Sequence, residues 1–142
     1  MVKRLMIGLA AGALLAAMLP GVTSAVDPVE IDCSVSPDTL WPPNHRLVEV
    51  TTTVIATPVG VAVDLLSVTS NEPDNAEGDG DTVDDIVIGT LDTATGGTGS
   101  LRAERAAGGT GRVYTVTYSA TDASGNQAAC SVEVDVPHDR RP

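Results

Sequence analysis

From Tyr114 to Ala120 every second residue is apolar and the residues between them are Thr or Ser. The alternation returns from Cys130 to Val136, with Ser131, Glu133 and Asp135 as the polar set. A period of two sends successive side chains to opposite faces of an extended chain, so both runs predict half-buried strands. No stretch after Ala25 carries a helical period. Five earlier runs read the same way. Val29, Ile31, Cys33 and Val35 share one face of a first strand, opposite Glu30, Asp32 and Ser34. A second places Val48, Val50, Val54 and Ala56 inward and Glu49, Thr51 and Thr53 outward. A third, 61–70, begins with Val61, Val63 and Leu65 inward and switches phase to Leu66 and Val68, which predicts a β-bulge. The fourth spans 85–91 around Ile86-Val87-Ile88, and the fifth, 100–105, turns Leu101 and Ala103 inward.

Seven strands in about 110 residues, separated by Gly, Pro, Asn and Asp clusters, predict an all-β fold: a seven-stranded immunoglobulin-like antiparallel β-sandwich. Gly96-Gly97-Thr98-Gly99 and Gly108-Gly109-Thr110-Gly111 read as flexible loops within the domain. The chain has no Phe, two Tyr and one Trp, so its core must be built from Val, Ile, Leu and Ala. Small side chains bury less area each, and such a core gains much from a covalent staple.

The first residues read as an export signal. Lys3 and Arg4 precede an apolar stretch from Leu5 to Leu19, then Pro20-Gly21 and the small residues Val22-Thr23-Ser24-Ala25. The stretch is short for a membrane span, so residues 1–25 are expected to be a signal peptide cleaved after Ala25. Residues 26–142 then form one domain with its core at about 29–137, secreted and not inserted in a membrane. In that mature chain six arginines face nineteen acids, a net charge near −13. Such a surface repels nucleic acid and anionic lipid. Cys33 and Cys130 fall at inward positions of the first and last strands, neighbours in sandwiches of this kind, and export favours their oxidation to a disulfide. A thiol nucleophile or a metal-ligand pair is the alternative, without CxxC spacing or a sequence-adjacent basic residue to support it.

Several strings carry a family resemblance: Leu40-Trp41-Pro42-Pro43-Asn44-His45, Ser70-Asn71-Glu72-Pro73, Leu101-Arg102-Ala103-Glu104-Arg105 and Asp122-Ala123-Ser124-Gly125-Asn126. With the Tyr-rich strand before the last of these, they resemble a family of bacterial secreted immunoglobulin-like modules related to the hyalin repeat, from about Cys33 to Asp139. The resemblance implies an adhesive or accessory role and no catalytic residues.

Seven carboxylates crowd the fifteen residues from Asn71 to Asp85. Mutual repulsion disfavours so dense a loop unless it stays solvated or wraps a cation, and calcium accepts loose sets of six to eight oxygens. Glu72, Asp74, Asp79, Asp81, Asp84 and Asp85 are the candidate calcium ligands, with Gly78 and Gly80 to bend the backbone. The spacing is not that of an EF-hand, and a solvated acidic loop is the other reading. Strand alternation brings the Trp41–His45 loop, this acidic loop and Pro137-His138-Asp139 to one pole. Trp41, His45, His138 and Asp139 are therefore candidates for a binding surface, and the histidines with an acid for a transition-metal site. The simpler role has Trp41 covering the core and His45 bonding a neighbouring backbone group. Asp122 and Asn126 are expected to shape the last turn.

No nucleophile-elbow motif or aromatic-lined cleft supports catalysis. The expectation is a non-catalytic binding or adhesion module for a protein or cell-surface partner, with a purely structural or accessory domain as the alternative. One tryptophan is few for a carbohydrate platform, so sugar is the weaker ligand class.

Overall fold

The computed structural model describes residues 27–78 and 80–139; the expected signal peptide and Asp79 lie outside them. Seven strands follow in order: β1 (Glu30–Ser36), β2 (Leu47–Thr57), β3 (Ala62–Ser70), β4 (Ile86–Val87), β5 (Thr98–Arg102), β6 (Gly111–Thr121) and β7 (Gln127–Pro137). They form two antiparallel sheets, ordered β1-β2-β5-β4 and β3-β6-β7, and no helix occurs among the described residues. The chain is an all-β sandwich.

The period-two pattern sets the register. Val50, Val54, Leu101, Tyr114, Val116, Tyr118, Ala120, Val134 and Val136 are buried, while Glu49, Glu133 and Asp135 on the same strands are exposed. Each full burial of a Val or Leu side chain contributes about 1.5–3 kcal/mol. The two tyrosines supply the bulk that phenylalanine would give elsewhere, and their hydroxyls find buried partners. Tyr118 Oη donates to the Leu91 carbonyl at 2.9 Å and lies 2.6 Å from Thr52 Oγ1. Tyr114 Oη donates to the Arg102 carbonyl at 2.8 Å. Thr52 sits at an inward position among valines because it serves Tyr118.

Three local expectations need correction. The register shift in β3 falls between Leu65 and Ser67, so Leu66 is the bulged residue and is 59% exposed rather than inward; Val68 resumes the core face. The fourth strand holds only Ile86 and Val87. After it the chain turns at Ile88, whose carbonyl accepts from Leu91 N at 3.0 Å, and Leu91 reaches the core from that turn. The glycines of 96–99 are not a flexible loop: Thr98 opens β5, and Gly96 and Gly99 are buried. A Cβ on Gly99 would stand 2.7 Å from the Val87 carbonyl oxygen, so this run allows β4 and its turn to close against β5.

The sheets are joined at one side by the Cys33–Cys130 disulfide, with Cα atoms 6.0 Å apart, between β1 of one sheet and β7 of the other. Past β1 the chain crosses to the second sheet. Leu40 N donates to the Asp135 carbonyl and Asp135 N to the Asp38 carbonyl, both at 2.8 Å. That contact covers part of the β7 edge and drops Leu40 into the core at 1% exposure.

Candidate functional site

The loops preceding β2, β4 and β6 meet at one end of the sandwich, and arginines hold them there. Arg112 precedes Tyr114 by two residues on β6 and so points inward, where it is fully buried. Its guanidinium pairs with Asp85, lies 3.4 Å from Glu72 Oε2 and 3.7 Å from Glu104 Oε1, and donates to the Pro73 carbonyl at 3.1 Å. Glu72 and Asp85 stand at the two ends of the acidic loop, so one cation closes its neck. Burial opposes the charge on Arg112, but the hydrogen bonds to Asp85 and Tyr114 outweigh it and hold the group firmly protonated. Burial also pushes the Tyr114 phenol up to about 12, although Arg112 pulls against it.

Arg102 ties the same loop to the Trp41–His45 loop. Its Nε donates to Asp85 Oδ1 at 2.9 Å, one terminal nitrogen to the His45 carbonyl at 3.0 Å and the other to the Val83 carbonyl at 2.8 Å. Glu104, also fully buried, accepts from Thr82 Oγ1 and lies 3.4 Å from His45 Nδ1. Gly80 comes so close to that imidazole that a Cβ on it would stand 2.9 Å from Nδ1. Arg105 reaches the end of β7 through the His138 carbonyl, at 3.0 Å.

The six candidate calcium ligands are thus divided. Asp85 is buried between Arg102 and Arg112. Glu72 faces Arg112 and accepts from Ala106 N at 2.6 Å. Asp74 accepts from Asp84 N at 3.1 Å and Asp85 N at 2.8 Å, and these two backbone hydrogen bonds hold its carboxyl below the ordinary value. Asp81 and Asp84 are exposed, and Asp79 is outside the described residues. The repulsion that the sequence implies is therefore offset at the neck by the chain's own arginines. Among the described residues no group of three His, Cys, Asp or Glu side chains is arranged to hold a metal ion.

Trp41 and the His45 side chain are 39% and 47% exposed, and the neighbouring Leu40 enters the core at 1% exposure. His138 pairs with Asp139 at 3.5 Å and lies near the Ala107 carbonyl, so the histidines have separate surroundings. At the opposite pole Asp122 shapes its turn as expected. It accepts from Asn126 Nδ2 at 2.7 Å and from the Asn126 and Ser124 amides, and the side-chain and backbone hydrogen bonds from Asn126 lower its pKa most.

Sequence reasoning missed Arg112, Arg102 and Glu104. The signal for Arg112 was present: one step of the alternation before Tyr114 lands on it, and an arginine at an inward position needs a buried counter-charge. Comparison with protein-family models, curated proteins and solved structures finds no match.

Proposed function

We propose that this chain is an exported, non-catalytic immunoglobulin-like module that binds a protein or cell-surface partner through its arginine-tied pole. The observation that carries the reading is the fixed neck: Arg112 and Arg102 anchor the acidic loop from below, while Trp41, His45, Asp81 and Asp84 face solvent. A loop already held in place loses less conformational freedom on binding, which favours recognition. The disulfide accords with an extracellular setting. The order of the strands in the two sheets supports the immunoglobulin-like reading, and the resemblance to hyalin-repeat modules supports an adhesive role.

The test is binding of the labelled, purified protein to cell-envelope fragments and to a panel of polysaccharides. Trp41→Ala/His45→Ala should weaken the envelope interaction about tenfold or more, as loss of a central anchor does. Undiminished binding by a folded double variant would move the surface elsewhere, and no binding to either material would favour the structural or accessory reading. Capture by polysaccharide alone would make this a carbohydrate module.

A calcium-stabilised form of the same reading draws on the exposed Asp81 and Asp84 beside Gly80. It requires a melting temperature higher in millimolar calcium than in EDTA or magnesium, with the shift abolished by Asp81→Asn/Asp84→Asn. Identical wild-type curves would leave arginine as the only cation serving the loop.

A further inference from the structure

At the end of the sandwich opposite the arginine-tied pole, where β1 starts and β2 ends, lies a groove of about 500 Å³. Glu30, Ile31, Asp32, Ile55, Thr57 and Ala128 line it. Asp32 stands directly opposite Ile55 in the register and Glu30 opposite Thr57, so these four share the outer face of two neighbouring strands. Directly opposed residues have Cβ atoms about 5 Å apart, and diagonal neighbours are still within reach of long side chains. Ile55 thus has one carboxylate across from it and a second, Glu30, on the diagonal. It is 63% exposed, on a face where its neighbours along β2 are Thr53 and Thr57. A second groove of about 280 Å³, lined by Asp27, Pro28, Glu30, Thr57 and Pro58, shares Glu30 and Thr57 with the first and extends it.

Among the described residues, no cation of the chain serves these carboxylates. Arg46, Arg102, Arg105 and Arg112, the four arginines described, all stand at the other pole. Asp27, Glu30 and Asp32 make no side-chain hydrogen bond or ion pair with any described residue. An exposed aliphatic with a carboxylate on two sides is the complement of a side chain that has a long apolar stem and a terminal cation. Lysine and arginine lay such stems along apolar surface and keep the charged head among polar groups. A second copy carries the same net negative charge and is disfavoured, as is anionic lipid. Volumes of this size hold a ligand larger than one side chain, and Pro28 and Pro58 continue the apolar floor, so the cation arrives on a polypeptide. We propose that this groove docks a segment of a partner protein through one Lys or Arg side chain. The methylene stem lies over Ile55, the cation sits between Asp32 and Glu30, and the flanking backbone runs along Pro28 and Pro58.

The groove lies at the opposite end of the molecule from Trp41 and His45, so it adds a contact that does not depend on theirs. The test is an NMR titration of the purified protein with short peptides that differ only at a central residue. That residue is Lys, norleucine, which keeps the stem without the charge, or diaminopropionate, which keeps the charge without the stem. The Lys peptide should shift the amides of 30–32 and 55–57 saturably, and the other two should bind at least about fivefold more weakly. Ile55→Thr and, separately, Glu30→Gln/Asp32→Asn should each weaken the Lys peptide by about the same factor. Glu49→Gln/Glu133→Gln, which removes equal charge elsewhere, should leave its binding unchanged. Equal binding of the three peptides, shifts that survive Ile55→Thr, or shifts spread over the whole acidic surface would reduce the effect to diffuse attraction and overturn the proposal. Absence of any shift at 30–32 and 55–57 would overturn it as well. So would shifts that follow protein concentration without peptide, which place a second copy in the groove, or binding of the diamine cadaverine as tight as that of the Lys peptide.

Discussion

Arg112 and Asp85 are 27 residues apart in the chain and meet as a buried ion pair, the guanidinium 0% and the carboxylate 1% exposed. Breaking such a pair from one side leaves an uncompensated buried charge, at a cost of about 3–5 kcal/mol, whereas an apolar replacement of the set can be neutral. Asp85→Asn leaves Arg112 beside Glu72 and Glu104, whereas Arg112→Met takes the cation from all three carboxylates at once, so Arg112→Met should destabilise more, by a margin readable in urea midpoints. Equal midpoints for the two variants would show that Glu72 and Glu104 do not depend on Arg112.

The disulfide joins residues 97 apart in sequence. A chain-entropy argument assigns closure of a loop that long roughly 4–5 kcal/mol, an upper figure. Cys33→Ser/Cys130→Ser should lower the melting temperature by well over ten degrees, and non-reduced protein should show no free thiol. An unchanged melting temperature would mean that the sheets pack as well without the link.

Gly99→Ala should cost about 1–3 kcal/mol, because the added methyl meets the Val87 carbonyl and the Leu91 side chain with no room to move outward. Gly108→Ala is the control, since nothing lies within 4 Å of the position its Cβ would take. Equal thermal stability for the two variants would contradict the packing of 96–99 against β4.

Asp74 is held below its ordinary pKa of 3.8 by the amides of Asp85 and Asp84. A depressed carboxylate pKa contributes stability above the unfolded-state value and loses it as pH falls through the folded one. The stability gap between wild type and Asp74→Ala should thus be largest near pH 6 and shrink below about pH 3.8. Asp122→Ala should behave likewise, through the opposite turn. Urea titrations at several pH values measure both, and a gap that widens on acidification would reverse the assigned direction.

The alternation of Tyr114–Ala120 and Cys130–Val136 was enough to determine strand and inward face, because a one-residue slip would bury Glu133 and expose Val132. The inward phase of both cysteines likewise anticipated their pairing. The extent of the fourth strand was not legible, since Ile88 and Leu91 are as apolar as their neighbours and only the turn between them decides which is buried. Nor could sequence separate the carboxylates of the acidic loop. Glu72 and Asp85 face a cation carried on β6, whereas Asp81 and Asp84 lie at exposed positions, and composition counts all four alike. Period-two patterning is local and is written residue by residue. The partner of a buried charge is fixed by chain closure over tens of residues, so only the tertiary structure could decide it.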